Sequence, residues 1–76
     1  MTTPDMATIA ENLRVLKARR RVSDATIAAA VGLTPSAIND RMNGRSRVQA
    51  DELARFAAFF GVTVDDLLAP ATEAVS

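Results

Sequence analysis

The stretch that decides the fold runs DATIAAAVGLTPSAINDRMNGRSR, from Asp24 to Arg47. Its punctuation reads as two short helices around a glycine turn, followed by a basic loop. Ser23, just before it, carries a hydroxyl that can accept from the free N–H groups of a helix start, which makes it an N-cap. Ile27, Ala28 and Val31 then fall on one helical face. Gly32 stops this helix, because such a stop commonly needs a left-handed backbone that glycine adopts without steric cost. Leu33 packs under the turn. Thr34 caps the next helix and Pro35 takes its first position, where a missing N–H costs nothing. Ile38 and Met42 lie four apart on its buried side, Asn43 and Gly44 close it, and Arg45, Ser46 and Arg47 make a short basic loop.

Outward from this stretch the same signals repeat. Upstream, Thr3 is a plausible N-cap, Pro4 suits the first helical position and Asp5 the positive end of the helix dipole. Met6, Ile9, Leu13 and Leu16 recur at steps of three, four and three, one apolar stripe on a helix ending near Arg20 or Arg21. Downstream, a helix from about Gln49 to Phe60 turns Leu53, Phe56, Ala57 and Phe60 inward and ends at Gly61. Thr63 caps a last short helix with Asp65 and Asp66 in its first turn and Leu67 and Leu68 after them; Pro70 prevents its continuation. Five helices are legible and no strand. The expectation is an all-α, compact five-helix domain over residues 1–70, with residues 71–76 as a frayed tail.

A chain of 76 residues makes one domain, and one this small buries only about 60–65% of its unfolded surface. Cysteine and histidine are both absent. No disulfide, thiolate metal site or neutral-pH proton shuttle is therefore expected, nor a cofactor. The start MTTPDMATIA lacks a basic, apolar leader, and no apolar run approaches the roughly 20 residues of a membrane span. These features predict a cytoplasmic protein with no membrane partner.

The net charge of zero hides a strong segregation. Residues 14–47 hold eight cations against Asp24 and Asp40, a net +6, with acid concentrated on either side. A basic face of this kind can attract a polyanion although the total charge cannot. Two helices joined by a three- or four-residue glycine turn form a helix-turn-helix. Here Ala28 is small where the pair must cross closely. A protruding helix with cations beside it suits the major groove of DNA.

At these residues the chain resembles the helix-turn-helix domains of the lambda-repressor/Cro type, also called the XRE family. The resemblance runs from about Ile9 to Leu68. It rests on IAENLRVLK, ATIAAAVGLTPSAIN, RMNGRSR and DELARFAAFFGVTVDDLL, in that order and at family-like spacing. The family comprises phage immunity repressors, Cro-like regulators, bacterial repressors and antitoxins. The resemblance implies a sequence-specific regulator whose third helix enters the major groove of double-stranded DNA. It implies that Thr34, Pro35, Ser36, Asn39 and Asp40 reach base edges or nearby phosphates. Asn39 would pair with adenine and Asp40 would accept from cytosine. Asn43, Arg45 and Arg47 match a phosphate-contacting loop, and Ser23 with the start of the second helix matches another phosphate contact. Arg41, beside the reading face, would reach a guanine or a phosphate.

Several residues depart from the family pattern. Asp24 and Pro35 stand where glutamine is frequent, and Asp24 near a phosphate would repel it. Arg41 replaces an apolar residue, which leaves the packing to Met42. Arg21 replaces a helix-ending glycine and would carry strain of about 1 kcal/mol if left-handed. The triplet Arg19–Arg21 reads chiefly as a solvated helix end. Phe59 sits at the rim of the fourth helix, as a dimer surface or as a residue covered by the last helix. A homodimer on DNA is one expected partner state; no small-molecule ligand is expected. Asp24 and Asp40 on the reading face favour a rival reading, a protein-interaction module such as an antitoxin or anti-repressor partner. An enzyme has little support, since no phosphate-cradling glycine loop is present.

Overall fold

The computed structural model describes residues 6–70. The expected caps at Thr3 to Asp5 and the expected tail at 71–76 lie outside the described residues. Five helices follow one another: α1 (Met6–Arg20), α2 (Asp24–Val31), α3 (Pro35–Met42), α4 (Ala50–Phe60) and α5 (Val64–Leu68). No strand occurs among the described residues.

The local chemistry read from the sequence forms these elements. Ser23 Oγ accepts from the Thr26 N–H at 3.1 Å, and Thr34 Oγ1 accepts from the Ala37 N–H at 3.1 Å. Gly32 at φ +78° lets α2 stop and α3 begin at once. Thr63 and Asp66 form a reciprocal capping box at α5. Arg21, at φ +54°, is the left-handed residue that ends α1 without being glycine.

The helices converge on Phe56 and Phe60 of α4, which are fully buried with Leu13, Ile27, Ile38 and Leu67. Each α-helix therefore gives the centre at least one large side chain. Val48, in the loop before α4, is buried as well and joins the core. The apolar pattern did not single it out, because a lone valine outside a helix has no periodicity to reveal it.

Polar side chains then join the helices at their ends. A helix leaves its last carbonyls without internal donors, at the negative end of its dipole. Arg14 of α1 donates to the Met42 carbonyl at the end of α3. Arg20 donates to the Phe60 carbonyl at the end of α4 at 2.7 Å, and Arg55 to the Val31 carbonyl at the end of α2 at 3.3 Å. Asn12, buried in α1, donates to the Leu67 and Ala69 carbonyls at 2.7 and 2.6 Å and so holds α5 against the body. Arg20, one of the triplet expected at a solvated helix end, thus serves a helix end that is not its own.

Candidate nucleic-acid interface

The face of interest is built by α2 and α3. Ile27, Ala28 and Val31 of α2 and Ile38 and Met42 of α3 are buried in the body, which fixes the rotation of both helices. The opposite side of α3 is then left to solvent. Thr34, Pro35, Ser36, Asn39 and Asn43 are exposed along it. Ser23 is exposed at the start of α2, whose first N–H groups precede any intrahelical acceptor.

The two acids of this face are each paired with a cation. Asp24 meets Lys17 Nζ at 2.7 Å. Asp40 accepts from Arg45 Nε at 3.2 Å, and the same guanidinium donates through Nη2 to Asn39 Oδ1 at 2.6 Å. Arg45 therefore folds back from the loop onto the outward side of α3. Asn43 donates its amide to the Asn39 main-chain carbonyl at 2.8 Å. Arg47 is exposed, with no ion pair or side-chain hydrogen bond among the described residues.

Arg41 departs from the expectation that it sits beside the reading face. Its guanidinium lies against Glu52 in a bidentate pair at 3.0 and 3.1 Å, with the two side chains only 17% and 9% exposed. The hydrogen bond from Arg41 holds the Glu52 carboxyl below its ordinary value, against the opposing cost of burial, and a bond from the Gln49 backbone adds to it. The same bond raises the Arg41 pKa. The physical reason is position: Arg41 and Met42 are adjacent, and Met42 takes the core, so Arg41 turns to the neighbouring start of α4. Its charge joins α3 to α4 through Glu52.

An open cleft of about 450 Å³ runs between α1 and α3. Arg14, Lys17 and Arg21 line one side, and Asn39 and Asn43 the other, with Val22 and Met42 also in the lining. The sequence reading passed over Lys17 and Arg14 as contributors here. Their signal was available, since residues 14, 17 and 21 step by three and four and so share one face. Phe59, at the far rim of α4, is half-buried and sets its ring edge-on against Phe60 at 5.0 Å between centroids.

Among the described residues no helix is long and apolar enough to cross a membrane, and no cluster of acids has the arrangement of a metal site.

The fold recurs in solved proteins. A hypothetical transcription factor from Neisseria, NHTF, superposes with a TM-score of 0.82 at 25% identity, covering 95% of this chain and 85% of that one. The clp gene regulator ClgR from C. glutamicum gives 0.80 at 24% identity, covering 93% and 92%. The hydroxypropylphosphonic acid epoxidase from S. wedmorenis gives 0.74 at 24% identity, covering 92% of this chain but 36% of that one; it shares the fold alone. No curated protein matches the chain. The family described as "Helix-turn-helix domain" matches residues 8–70, a span that includes α2 to α5 and all but the first two residues of α1, and the chain belongs to that family.

Proposed function

We propose that this domain binds double-stranded DNA sequence-specifically and regulates transcription, acting as a repressor by occupying its site. The observation that carries the reading is the rotation of α3. With Ile38 and Met42 buried, Thr34, Ser36 and Asn39 face solvent on a helix flanked by Lys17, Arg21, Arg45 and Arg47. A helix so presented fits the major groove, and cations on both sides suit the phosphate rows that border it. Ser23 and the free N–H groups of α2 add a second anion contact. The solved Neisseria protein, described as a hypothetical transcription factor, shares this scaffold.

Asp24 and Asp40 were the features that favoured a protein partner. Their pairing with Lys17 and Arg45 reduces the repulsion that a phosphate would meet. Phosphate contacts would supply most of the affinity, and the exposed side of α3 the choice of sequence. One domain of this size covers a modest area, so tight binding calls for two copies on half-sites about 34 Å apart.

Fluorescence anisotropy with duplex DNA over a tenfold salt range tests the reading. Affinity should fall steeply with salt, and Arg47→Ala should weaken binding to all duplexes alike while lowering the logarithmic salt slope by about 0.9. Affinity indifferent to salt sinks the proposal.

A further inference from the structure

We propose that Arg45 both orients Asn39 and Asp40 and adds its own donors to base readout, making the outward corner of α3 a donor surface that selects guanine. The inference rests on the DNA-binding reading above and deepens it. Taken separately, Asn39 would favour adenine and Asp40 cytosine, because a free amide offers one acceptor and one donor and a free carboxylate offers acceptors alone. The geometry joins the two residues and changes what they offer.

Gly44, at φ +73°, turns the chain back after α3. The N–H groups of Arg45 and Ser46 then bond the Asp40 main-chain carbonyl at 2.9 and 3.3 Å, which anchors the loop against the helix. From there the planar guanidinium spans two adjacent side chains, with Nη2 on Asn39 Oδ1 at 2.6 Å and Nε on Asp40 Oδ1 at 3.2 Å. A planar fork holds both acceptors and leaves its other N–H groups in fixed directions, whereas lysine gathers three rotating donors on one nitrogen and fixes neither.

Three consequences follow for the bases. The Asn39 amide is held in one orientation, because its flipped form would set Nδ2 donors against guanidinium donors. Its Oδ1 already faces a cation, so an adenine amino group arriving there meets repulsion, while Nδ2 has no acceptor among the described residues. Asp40 has one oxygen engaged and its charge offset, which weakens its attraction for the cytosine amino group. Arg45 has five N–H donors and uses two, leaving three beside Asn39 Nδ2. Guanine alone presents two acceptors, N7 and O6, on its major-groove edge. The exposed pair adds little stability in the free protein, but its bonds strengthen when a duplex displaces the surrounding water.

The test is selection from duplexes with randomised bases, at one fixed salt concentration, with the whole chain. Wild type, Asn39→Ala, Arg45→Lys, Asp40→Ala and Arg47→Ala are compared, and Asn39→Ala marks the base pair concerned. Wild type should prefer guanine over adenine there by about tenfold, the discrimination expected of a good base contact. Arg45→Lys, which keeps the charge, should keep the salt slope but lose the guanine preference and move toward adenine, with affinity for the guanine-bearing duplex falling about tenfold, and Asp40→Ala should lose the preference too. Arg47→Ala should lower affinity without changing preference. An adenine preference in wild type, or an unchanged preference in Arg45→Lys, overturns this inference and leaves DNA binding intact. No salt-dependent binding by wild type to any duplex overturns both.

Discussion

Arg41 and Glu52 face each other along two parallel bonds, Nε to Oε1 at 3.0 Å and Nη2 to Oε2 at 3.1 Å. Glu52 Oε1 also accepts from the Gln49 N–H at 3.0 Å, which makes the same carboxylate part of the capping box of α4. One buried group thus ties the last turn of α3 to the first turn of α4. The loop that carries Arg45 and Arg47 is strung between those two helices, so the pair sets the frame on which the loop cations sit.

Removing Arg41 leaves the Glu52 carboxylate buried and without its partner. Arg41→Ala should lower unfolding free energy by about 2–4 kcal/mol in urea melts. Arg41→Met combined with Glu52→Gln should recover most of that loss, because Gln keeps the cap and the buried charges are gone together. An unchanged midpoint for the single variant would show that the pair carries no stability.

The same carboxyl predicts an acid-side loss of stability. Glu52 titrates below its ordinary value of 4.5 in the folded protein, chiefly through the Arg41 hydrogen bond. The unfolded chain therefore binds more protons than the folded one from about pH 4.5 downward. The stability contributed by Glu52 is complete above that pH and declines as the pH falls through the lower, folded value. Glu52→Gln should flatten this part of a plot of stability against pH; an unaltered slope assigns the acid sensitivity to other carboxylates.

Arg21 ends α1 at φ +54°, a conformation that costs a side chain about 1 kcal/mol or slightly more. Arg21→Gly should raise the thermal midpoint, while Arg21→Ala, which keeps its Cβ, should not. The comparison separates backbone strain from loss of the charge. If alanine and glycine behave alike, strain at this residue is not the cause.

Asn12 is buried and donates to the two carbonyls that close α5. Asn12→Ala strips both bonds and should cost about 1–3 kcal/mol. Amide exchange in α5 should accelerate more than in α2 or α3, since the Asn12 amide bonds only the carbonyls of Leu67 and Ala69 among the described residues. Uniform acceleration across the chain would place Asn12 in the global core instead.

The helix-turn-helix was legible because its signals are short-range. The Ser23 and Thr34 caps act on N–H groups three residues away, at Thr26 and Ala37. Gly32 needs only its own φ, and the apolar steps of α2 and α3 are set by helical geometry within one turn. The exposed side of α3 was legible for the same reason, as the complement of Ile38 and Met42. Arg14, Lys17 and Arg21 shared a visible three-and-four spacing, but which helix they would face was not written in it.

By itself, then, the sequence determined five helices, the caps at Ser23, Thr34 and Thr63, the centre of each buried stripe, and the basic middle of the chain. Only the tertiary structure decided which cations remain for a partner. Arg14 reaches Met42, 28 positions on, and Arg20 reaches Phe60, 40 positions on. Arg41 goes to Glu52, whereas Arg45 spans Asn39 and Asp40 and keeps its remaining N–H groups facing outward. A long guanidinium-bearing side chain can serve a phosphate, a carboxylate or a helix-ending carbonyl equally well. The choice among them is made by what the folded backbone brings within reach, and local propensity has no term for that.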